Sequence, residues 1–342
     1  MPTVSVIMAV YNGEKYLAEA IESILNQTFR DFEFIIIDDA STDNSLEILE
    51  KYQRSDERIH IYRNNENVGL GVSLQRAVDL ASSEFIARMD ADDICTPDRF
   101  EKQNAYLNSH HEICILGADH WLINDQGLII GELHYPPFTN VIRWNMVLGN
   151  GLIVTNSATM IRKDILQALG GYGANRAAQD FELWSRTFDM QPLPIANLSE
   201  KILYYRQHAK TNTCILKNIQ EEVAVSTRKR TIENLIEETI SEDVVKAYRY
   251  TSLAYPDIED SMRYWLKIYR VFVNRFNPEQ KELKIIRREM VQRLSHYLLL
   301  NPFSMQKQGR ISFNQAIKWL RDGFAKEVLE YKFSMREKPS QH

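Results

Sequence analysis

Three carboxylates, Asp90, Asp92 and Asp93, stand together at the end of an apolar segment, residues 84–89. Like charges gathered at the end of a buried strand raise the free energy unless a cation neutralises them, and a divalent metal ion does this best. Hard oxygen ligands in an Asp-x-Asp spacing favour Mg²⁺ or Mn²⁺, which keep water ligands and accept further oxygens from a diphosphate. The spacing therefore predicts a metal site for a phosphorylated substrate. The alternative is charge complementation at a helix N-terminus, because Pro97 follows.

A second candidate for chemistry, Asp180, lies far downstream. Phe181, Trp184 and Phe188 follow it at helical spacing, which predicts a helix with Asp180 at its N-terminus and Trp184 in the core. The positive end of a helix dipole favours an ionised carboxylate, as a general base requires. Plain capping of the helix is the alternative.

The elements that must position these residues alternate along the N-terminal part of the chain. Apolar segments at 4–10, 32–37, 59–62 and 85–89 predict strands, and apolar residues at helical spacing follow each of the first three. The resulting βαβαβαβ order predicts an α/β protein with a doubly wound, mostly parallel, Rossmann-like sheet. Ligands of such sheets bind outside the carboxyl ends of the strands.

Polar residues follow three of these strands, so we expect them to share one crevice. They are Tyr11-Asn12-Gly13 after the first strand, Asp38-Asp39 after the second and Asp90-Ala91-Asp92 after the fourth. An acid after the second strand can accept an N–H group from a base such as uracil, and Tyr11 can pack beside that base. Turn formation is the alternative for Asp39, and ordinary packing is the alternative for Tyr11. The glycine patterns of dinucleotide-binding and P-loop proteins do not follow the first strand, so neither type of phosphate site is supported.

The middle of the chain predicts smaller elements. Residues 97–107 predict a helix, and the turn at 125–127 between apolar segments predicts a hairpin over 115–133. Residues 152–161 are apolar and rich in β-branched side chains, which predicts a strand, and residues 163–169 predict a short helix.

The charge balance changes along the chain. The 342 residues carry a net charge of −5, but residues 1–214 hold 18 Lys and Arg against 29 Asp and Glu, and residues 215–342 carry +6. We therefore predict a catalytic region over 1–214 and a helical C-terminal region over 215–342. The aromatic and basic stripe of that second region packs within the protein, rests on an anionic membrane surface or mediates a homodimer, and these alternatives stay open. An acidic chain without a recognised motif argues against nucleic-acid binding.

The sequence also predicts a cytoplasmic location, with a peripheral position on the inner face of the membrane as an alternative. Cys95, Cys114 and Cys214 are too scattered for a disulfide framework, which indicates a reducing compartment. The chain opens without a basic-then-apolar leader, and no apolar run reaches about 18 residues, so we expect neither a signal peptide nor a membrane span.

Four motifs, taken in order, resemble the signature series of family 2 glycosyltransferases, which are inverting enzymes of the GT-A fold. They are SVIMAVYNG at 5–13, IDDASTD at 37–43, NVG at 67–69 and ARMDADD at 87–93. The resemblance covers roughly residues 3–210, and the ordered set is specific although each motif alone is not. The segment around Asp180 is similar to the family's acid-Asp pair, although Gln179 stands where the family usually has Glu.

The resemblance implies that one set of residues binds the nucleotide sugar. This set is Ala9, Tyr11, Asn12, Glu14, Asp39, Gln75, Asp90 and Ala91. Asp39 matches the position that binds uracil, and Asp90 matches a position near the ribose. Gln75 departs from the family pattern, which usually has Asn there, but both side chains are amides and the hydrogen bond can survive.

The resemblance also implies the catalytic and metal-binding residues. Asp180 matches the general base, and Asp92 matches the direct ligand of Mn²⁺ or Mg²⁺. Residues 204–208 are similar to the family's Tyr-Arg-x-His loop. His208 in this loop completes the metal shell or contacts the diphosphate, with a solvated histidine as the alternative. Arg206 is expected to neutralise phosphate charge or to brace Asp180, and Asp93 is expected to hold the loop together.

Taken together, the resemblance implies an inverting, metal-dependent transferase that moves a sugar from a UDP-sugar, with UDP-GlcNAc as one candidate. The acceptor is a hydroxyl of a glycan or lipid-linked glycan in surface polysaccharide or lipooligosaccharide synthesis. A nucleotidyltransferase on a related sheet is an alternative, but it would need a Gly-rich basic loop where residues 11–14 stand. A non-catalytic sugar-nucleotide-binding scaffold is another, and the presence of both Asp92 and Asp180 argues against it.

Overall fold

The computed structural model describes residues 1–148, 153–173, 179–189, 193–208, 217–249 and 258–300. Its strands are β1 (Val4–Val10), β2 (Phe32–Asp38), β3 (Ile59–Arg63), β4 (Phe85–Arg88), β5 (Ile94–Cys95), β6 (Ile115–Ile123), β7 (Ile129–Leu133), β8 (Met160–Arg162) and β9 (Ile195–Arg206). Its helices are α1 (Leu17–Leu25), α2 (Ser45–Ser55), α3 (Leu70–Leu80), α4 (Arg99–Ser109), α5 (Thr139–Leu148), α6 (Lys163–Ala168), α7 (Gln179–Asp189), α8 (Lys217–Ile236), α9 (Glu242–Arg249), α10 (Ile258–Phe276) and α11 (Gln280–Leu300), with a 3₁₀ turn at Asn156–Ala158.

The described strands form one sheet in the order β3-β2-β1-β4-β8-β6-β9-β5, and β7 pairs with β6. β1, β2, β3 and β4 pair in parallel, β6 and β9 pair in parallel, and the remaining pairs are antiparallel. The predicted α/β, doubly wound sheet is confirmed, and so is the hairpin formed by β6 and β7.

The register of the parallel strands explains why their polar ends meet. Val10 lies opposite Asp38, and Met89 N donates to Ile7 O, so the segments after β1, β2 and β4 leave from one edge. In β1 every residue except Ala9 is buried, as expected of a strand covered on both faces.

The predicted strand over 152–161 is wrong for residues 153–159. Residues 156–158 form the 3₁₀ turn, and only the short β8 follows. The hydroxyl of Thr155 donates to Ala118 O, and that of Thr159 donates to Thr155 O. These side chains therefore occupy backbone carbonyls that would otherwise accept hydrogen bonds from a neighbouring strand. The turn presents Asn156 and Ser157 to the carboxyl edge of the sheet.

β9 was not predicted, and the loop expected at 204–208 is instead the end of this twelve-residue strand up to Arg206. Exposed Ser199 and Glu200 interrupt the apolar pattern at the place where the register of β9 on β6 shifts. A bulge of this kind hides a strand from a search for simple alternation.

The chain divides into two compact units, residues 1–142 with 152–227 and residues 143–151 with 228–342. In the second unit Trp144 packs edge-on against Phe272, with ring centroids 5.0 Å apart, and Trp265 and Ile268 are buried. Trp144, Trp265, Ile268 and Phe272 therefore form a core within that unit. The predicted boundary after residue 214 stays a prediction. No helix among the described residues has the length and apolar character needed to cross a membrane.

Candidate active site

The loops after β1 and β2 are fixed to each other by polar contacts. Asn12 has a left-handed backbone, with φ 53°, and its side-chain oxygen accepts the Thr42 N–H at 2.8 Å. The Asn12 N–H donates to Ser41 Oγ at 3.1 Å. Glu14 Oε2 accepts both the backbone and the side-chain N–H of Asn44, at 3.0 and 2.8 Å. Asn12 and Glu14 thus tie the loop after β1 to the loop after β2.

Asp39 follows β2 at the same edge of the sheet and is 3% exposed. Its carboxylate accepts the side chain of Asn64 at 2.7 Å and the N–H groups of Val68 and Gly69 at 3.0 and 2.9 Å. A carboxylate has about four acceptor positions, so three protein donors leave one for a ligand. Tyr11, which is 51% exposed, stands at the same edge of the sheet.

The acidic loop after β4 is held by a buried arginine and by the 3₁₀ turn. Arg88, 5% exposed, donates to Asp90 Oδ1 from two nitrogens at 2.9 and 3.1 Å. The Asp90 N–H donates to Ser157 Oγ at 3.1 Å. Ala91 packs against the hydrophobic core. The start of the loop is therefore held at Asp90 by both Arg88 and Ser157.

Arg206 supports the same loop from behind. Its backbone N–H donates to Asp93 Oδ1 at 2.8 Å. In the side chain, Nε donates to Asp92 O at 2.8 Å, and Nη2 pairs with Glu19 at 2.6 Å. The guanidinium carbon lies 4.3 Å from the ring centroid of Tyr16. With a side chain only 1% exposed, Arg206 braces the acidic loop, and none of its hydrogen bonds among the described residues reaches Asp180. Its predicted role in neutralising phosphate charge stays a prediction. The loop-holding role expected of Asp93 agrees with its contact with the Arg206 N–H.

The carboxylate of Asp92 meets His208, with Oδ2 and Nε2 3.0 Å apart. Burial raises the pKa of Asp92, the charge of Asp90 raises it further, and His208 opposes both effects. The pKa of Asp93 is raised well above its usual range, first by burial and then by the charges of Asp92 and Asp90. The carboxylates of this loop therefore repel one another, and a cation would relieve that repulsion.

Asp92 and His208 fit the predicted Mn²⁺ or Mg²⁺. Their side chains are 33% and 14% exposed, and two ligand atoms already face each other. The described residues contain no group of three or more His, Cys, Asp and Glu side chains placed to hold a metal. Two protein ligands are nevertheless enough for a metal that takes its other oxygens from water and a diphosphate.

Asp180 lies in the first turn of α7, as predicted. Its Oδ2 accepts the side-chain N–H of Asn156, and its Oδ1 accepts the Phe181 N–H at 2.8 Å. Asn156 is the immediate neighbour of Ser157, which binds the acidic loop. The 3₁₀ turn thus connects Asp180 with Asp90. Trp184, at 2% exposure, is in the core as predicted.

Gln75 lies on α3, but its amide is turned to the protein. Its oxygen accepts the Tyr172 N–H at 2.8 Å, and its nitrogen donates to Asp79 at 2.8 Å. The role predicted for Gln75 towards the nucleotide sugar stays a prediction.

Sequence reasoning missed Asn156 and Ser157 and gave no role to Arg88. The one available signal was the polar Thr-Asn-Ser at 155–157 inside an apolar segment. A buried strand seldom carries three polar residues in succession, so this run could have indicated a turn at the site.

Replacing Arg206 by Met is expected to lower the free energy of unfolding by about 1–3 kcal/mol, because the backbone carbonyls of Asp92, Asn124 and Asp125 lose their side-chain donor, whereas Asp93 keeps the backbone N–H. Urea unfolding measures the loss. The control is Lys15→Met, which removes an exposed ion pair with Asp125 (side chains 62% and 52% exposed) and is expected to leave the urea midpoint nearly unchanged. Equal losses for the two variants would show that Arg206 does not brace the loop.

Solved structures of similar fold carry nucleotide sugars. The structure of residues 1–349 of TarS from S. aureus in complex with UDP-GlcNAc matches with a TM-score of 0.55 at 16% identity, over 97% of this chain and 92% of that one. The mannosyltransferase PcManGT from Pyrobaculum calidifontis, in complex with GDP-Man and Mn²⁺, matches with a TM-score of 0.52 at 13% identity, over 95% of this chain and 88% of that one. The sheet, with an acidic loop at its carboxyl edge, defines a GT-A glycosyltransferase fold.

Sequence relatives identify the family. The O-antigen biosynthesis glycosyltransferase WbnJ of Escherichia coli is 36% identical over 242 residues, which span 68% of this chain and 92% of the relative. An uncharacterised glycosyltransferase of Methanocaldococcus jannaschii is 37% identical over 187 residues, 54% of this chain and 64% of the relative. The model of glycosyl transferase family 2 matches residues 5–170. The chain belongs to glycosyl transferase family 2, as the motifs predicted.

Proposed function

We propose that the protein transfers a sugar from a UDP-sugar, with inversion, to a hydroxyl of a glycan or lipid-linked glycan in surface polysaccharide synthesis. Asp180 is the general base, and Asp92 and His208 hold Mn²⁺ or Mg²⁺. UDP-GlcNAc is the first candidate donor. Support for a nucleotide-sugar donor comes from the TarS and PcManGT complexes, and support for the pathway comes from WbnJ.

The observation that carries this proposal is the link that the 3₁₀ turn makes between Asp180 and Asp90. Asn156 binds the carboxylate of Asp180, and the next residue, Ser157, binds the backbone of Asp90. A base and a diphosphate site must share one cleft in a direct displacement, because the attacking hydroxyl approaches the anomeric carbon opposite the leaving group. The turn supplies that common support.

The uracil base is assigned to Asp39, whose carboxylate retains about one acceptor position after three protein donors. Uracil N3–H is a donor of the required kind, whereas cytosine has an acceptor at that position. Tyr11 is exposed at the same edge and offers a ring face to the base.

In the reaction, Asp180 accepts the proton of the acceptor hydroxyl. The oxygen of that hydroxyl bonds to the anomeric carbon as the bond from this carbon to the diphosphate breaks. Asn156 keeps the Asp180 carboxylate oriented, and Arg88 holds Asp90 in place. A metal bound by Asp92 and His208 would supply charge stabilisation for the departing diphosphate.

The test is the release of nucleoside diphosphate from UDP-GlcNAc, UDP-glucose, UDP-galactose and GDP-mannose, each with Mn²⁺ or Mg²⁺. We expect UDP from at least one UDP-sugar and no GDP from GDP-mannose, and we expect a chelator to stop the release. Release of GDP alone would overturn the UDP assignment. No release from any donor would overturn the proposed function.

A further inference from the structure

The glycine turn, residues 169–173, lies between α6 and the segment that leads to α7, and it has no role in the mechanism above. Gly170 and Gly171 have left-handed φ angles of 82° and 65°. Glycine adopts such angles without strain, whereas most side chains do not. The turn therefore has a shape that the sequence encodes directly, and it is bound on two sides.

On one side the glycine turn touches α3 closely. Gln75 Oε1 accepts the Tyr172 N–H at 2.8 Å. A Cβ atom on Gly171 would lie 1.8 Å from that same Oε1, and a Cβ atom on Gly71 would lie 2.1 Å from Gly173 O. Gly71 and Gly171 are thus needed for this approach, and Gln75 locks the turn to the helix.

On the other side the glycine turn is bound by the helix that carries the base. Arg186 donates to Leu169 O and, at 2.7 Å, to Gly171 O, and it pairs with Glu182 at 2.8 Å. Arg186 and Asp180 both belong to α7 and stand less than two helical turns apart. Because a short helix moves as a rigid rod, the position of Arg186 constrains that of Asp180.

The side chain of Tyr172 extends from the turn towards Arg88. It is 4% exposed, and its ring centroid lies 5.9 Å from the guanidinium carbon of Arg88. Burial raises the pKa of Tyr172 to about 12, and the charges of Asp90 and Asp180 add to this while Arg88 opposes it. Base, buried arginine and acidic loop therefore meet beside this ring.

We propose that Arg186 is a positioning residue for Asp180. It fixes α7 to the glycine turn, and Gln75 fixes the turn to α3, so that the base is held at one distance from the nucleotide-sugar cleft. The contacts of Arg186 are with Leu169 O, Gly171 O and Glu182, all within the protein. The inference rests on the proposed function, because it concerns the placement of the base in that reaction.

The experiment compares Arg186→Met and Arg186→Lys with Arg162→Met. Arg162 is a matched control, since it also donates to two backbone carbonyls, Ile113 O and Leu107 O, and pairs with Glu84, but it does not bind α7. Misplacing a reacting group by about 1 Å costs about 10²-fold in rate, so we expect kcat to fall about 10–100-fold in Arg186→Met. KM for the nucleotide sugar should stay within about twofold, because the donor site is intact.

Arg186→Lys can satisfy one carbonyl and should recover part of kcat. Arg162→Met should lower the melting temperature to a similar degree and keep kcat. If Arg186→Met keeps kcat, or if Arg162→Met loses as much as Arg186→Met, Arg186 is structural and this inference fails while the proposed function stands. If wild-type protein releases no nucleoside diphosphate from any sugar nucleotide, the proposed function fails, and the inference fails with it.

Discussion

Replacing Asp180 by Asn is expected to lower the rate of sugar transfer by about 10²–10⁴-fold, the usual contribution of a general base. Asn keeps the shape of the side chain and an oxygen that can still accept from Asn156, so the 3₁₀ turn should stay in place. The amide cannot take the hydroxyl proton. Release of nucleoside diphosphate from the active sugar nucleotide measures the rate. The rise in melting temperature with UDP and Mn²⁺ should equal that of wild type.

Asp164→Asn is a matched control for this experiment. Asp164 is exposed in the first turn of α6, and its Oδ1 accepts the Ile165 N–H at 2.8 Å, as that of Asp180 accepts the Phe181 N–H. Its replacement should leave the rate unchanged. Full activity of Asp180→Asn would show that another group removes the proton. A lost UDP-dependent shift would mean instead that Asp180 supports the donor site.

The strand ends could be predicted from the sequence because parallel topology fixes them. Once apolar periodicity gives the order of β1 to β4, the rule for doubly wound sheets brings Asp39, Asp90 and Asp92 to one edge. Local spacing alone also gave the helix of Asp180. These predictions depend only on elements with strong and regular patterns.

The contacts behind the site could not be predicted in the same way. Arg206 ends a strand whose pattern is broken by a bulge, so neither its burial nor its direction follows from neighbouring residues. Gln75 lies on a regular helix, yet Tyr172 in the glycine turn, 97 positions further along the chain, decides where its amide points. Long polar side chains have many rotamers, and tertiary contacts choose between them.

The 3₁₀ turn shows a further limit. β-branched residues in 153–161 favour a strand by propensity, but the hydroxyls of Thr155 and Thr159 bind backbone carbonyls instead. Strand propensity mainly reflects packing on a sheet, so local side-chain hydrogen bonds can override it. The residues that connect base and acidic loop were therefore hidden in a segment predicted as plain sheet.

Replacing Asp92 by Asn is expected to abolish the Mn²⁺-dependent part of the stabilisation by UDP. A ligand at 100 times its Kd raises the free energy of unfolding by about 2.7 kcal/mol, so loss of a metal ligand should be visible as a smaller rise in melting temperature. Without metal, the variant should melt no lower than wild type. The reason is that the replacement removes one of several close negative charges. Asp90 raises the pKa of Asp92, and Asp92 raises the pKa of Asp93.

Thermal melts with buffer, UDP, Mn²⁺ and both together separate these effects, and Asp164→Asn again serves as the control. The metal-free melt decides between two roles of Asp92. Two losses are compared: the drop in melting temperature in buffer, and the drop in the rise caused by UDP and Mn²⁺. If they are equal, Asp92 acts chiefly as the hydrogen-bond partner of His208, 3.0 Å away. If the variant instead keeps the wild-type shift with UDP and Mn²⁺, the metal lies elsewhere. If Asp92 is a metal ligand, the variant keeps its melting temperature without metal and loses only the rise that Mn²⁺ adds. The reason is that removing the carboxylate relieves charge repulsion in the metal-free protein, whereas it weakens the metal-bound protein.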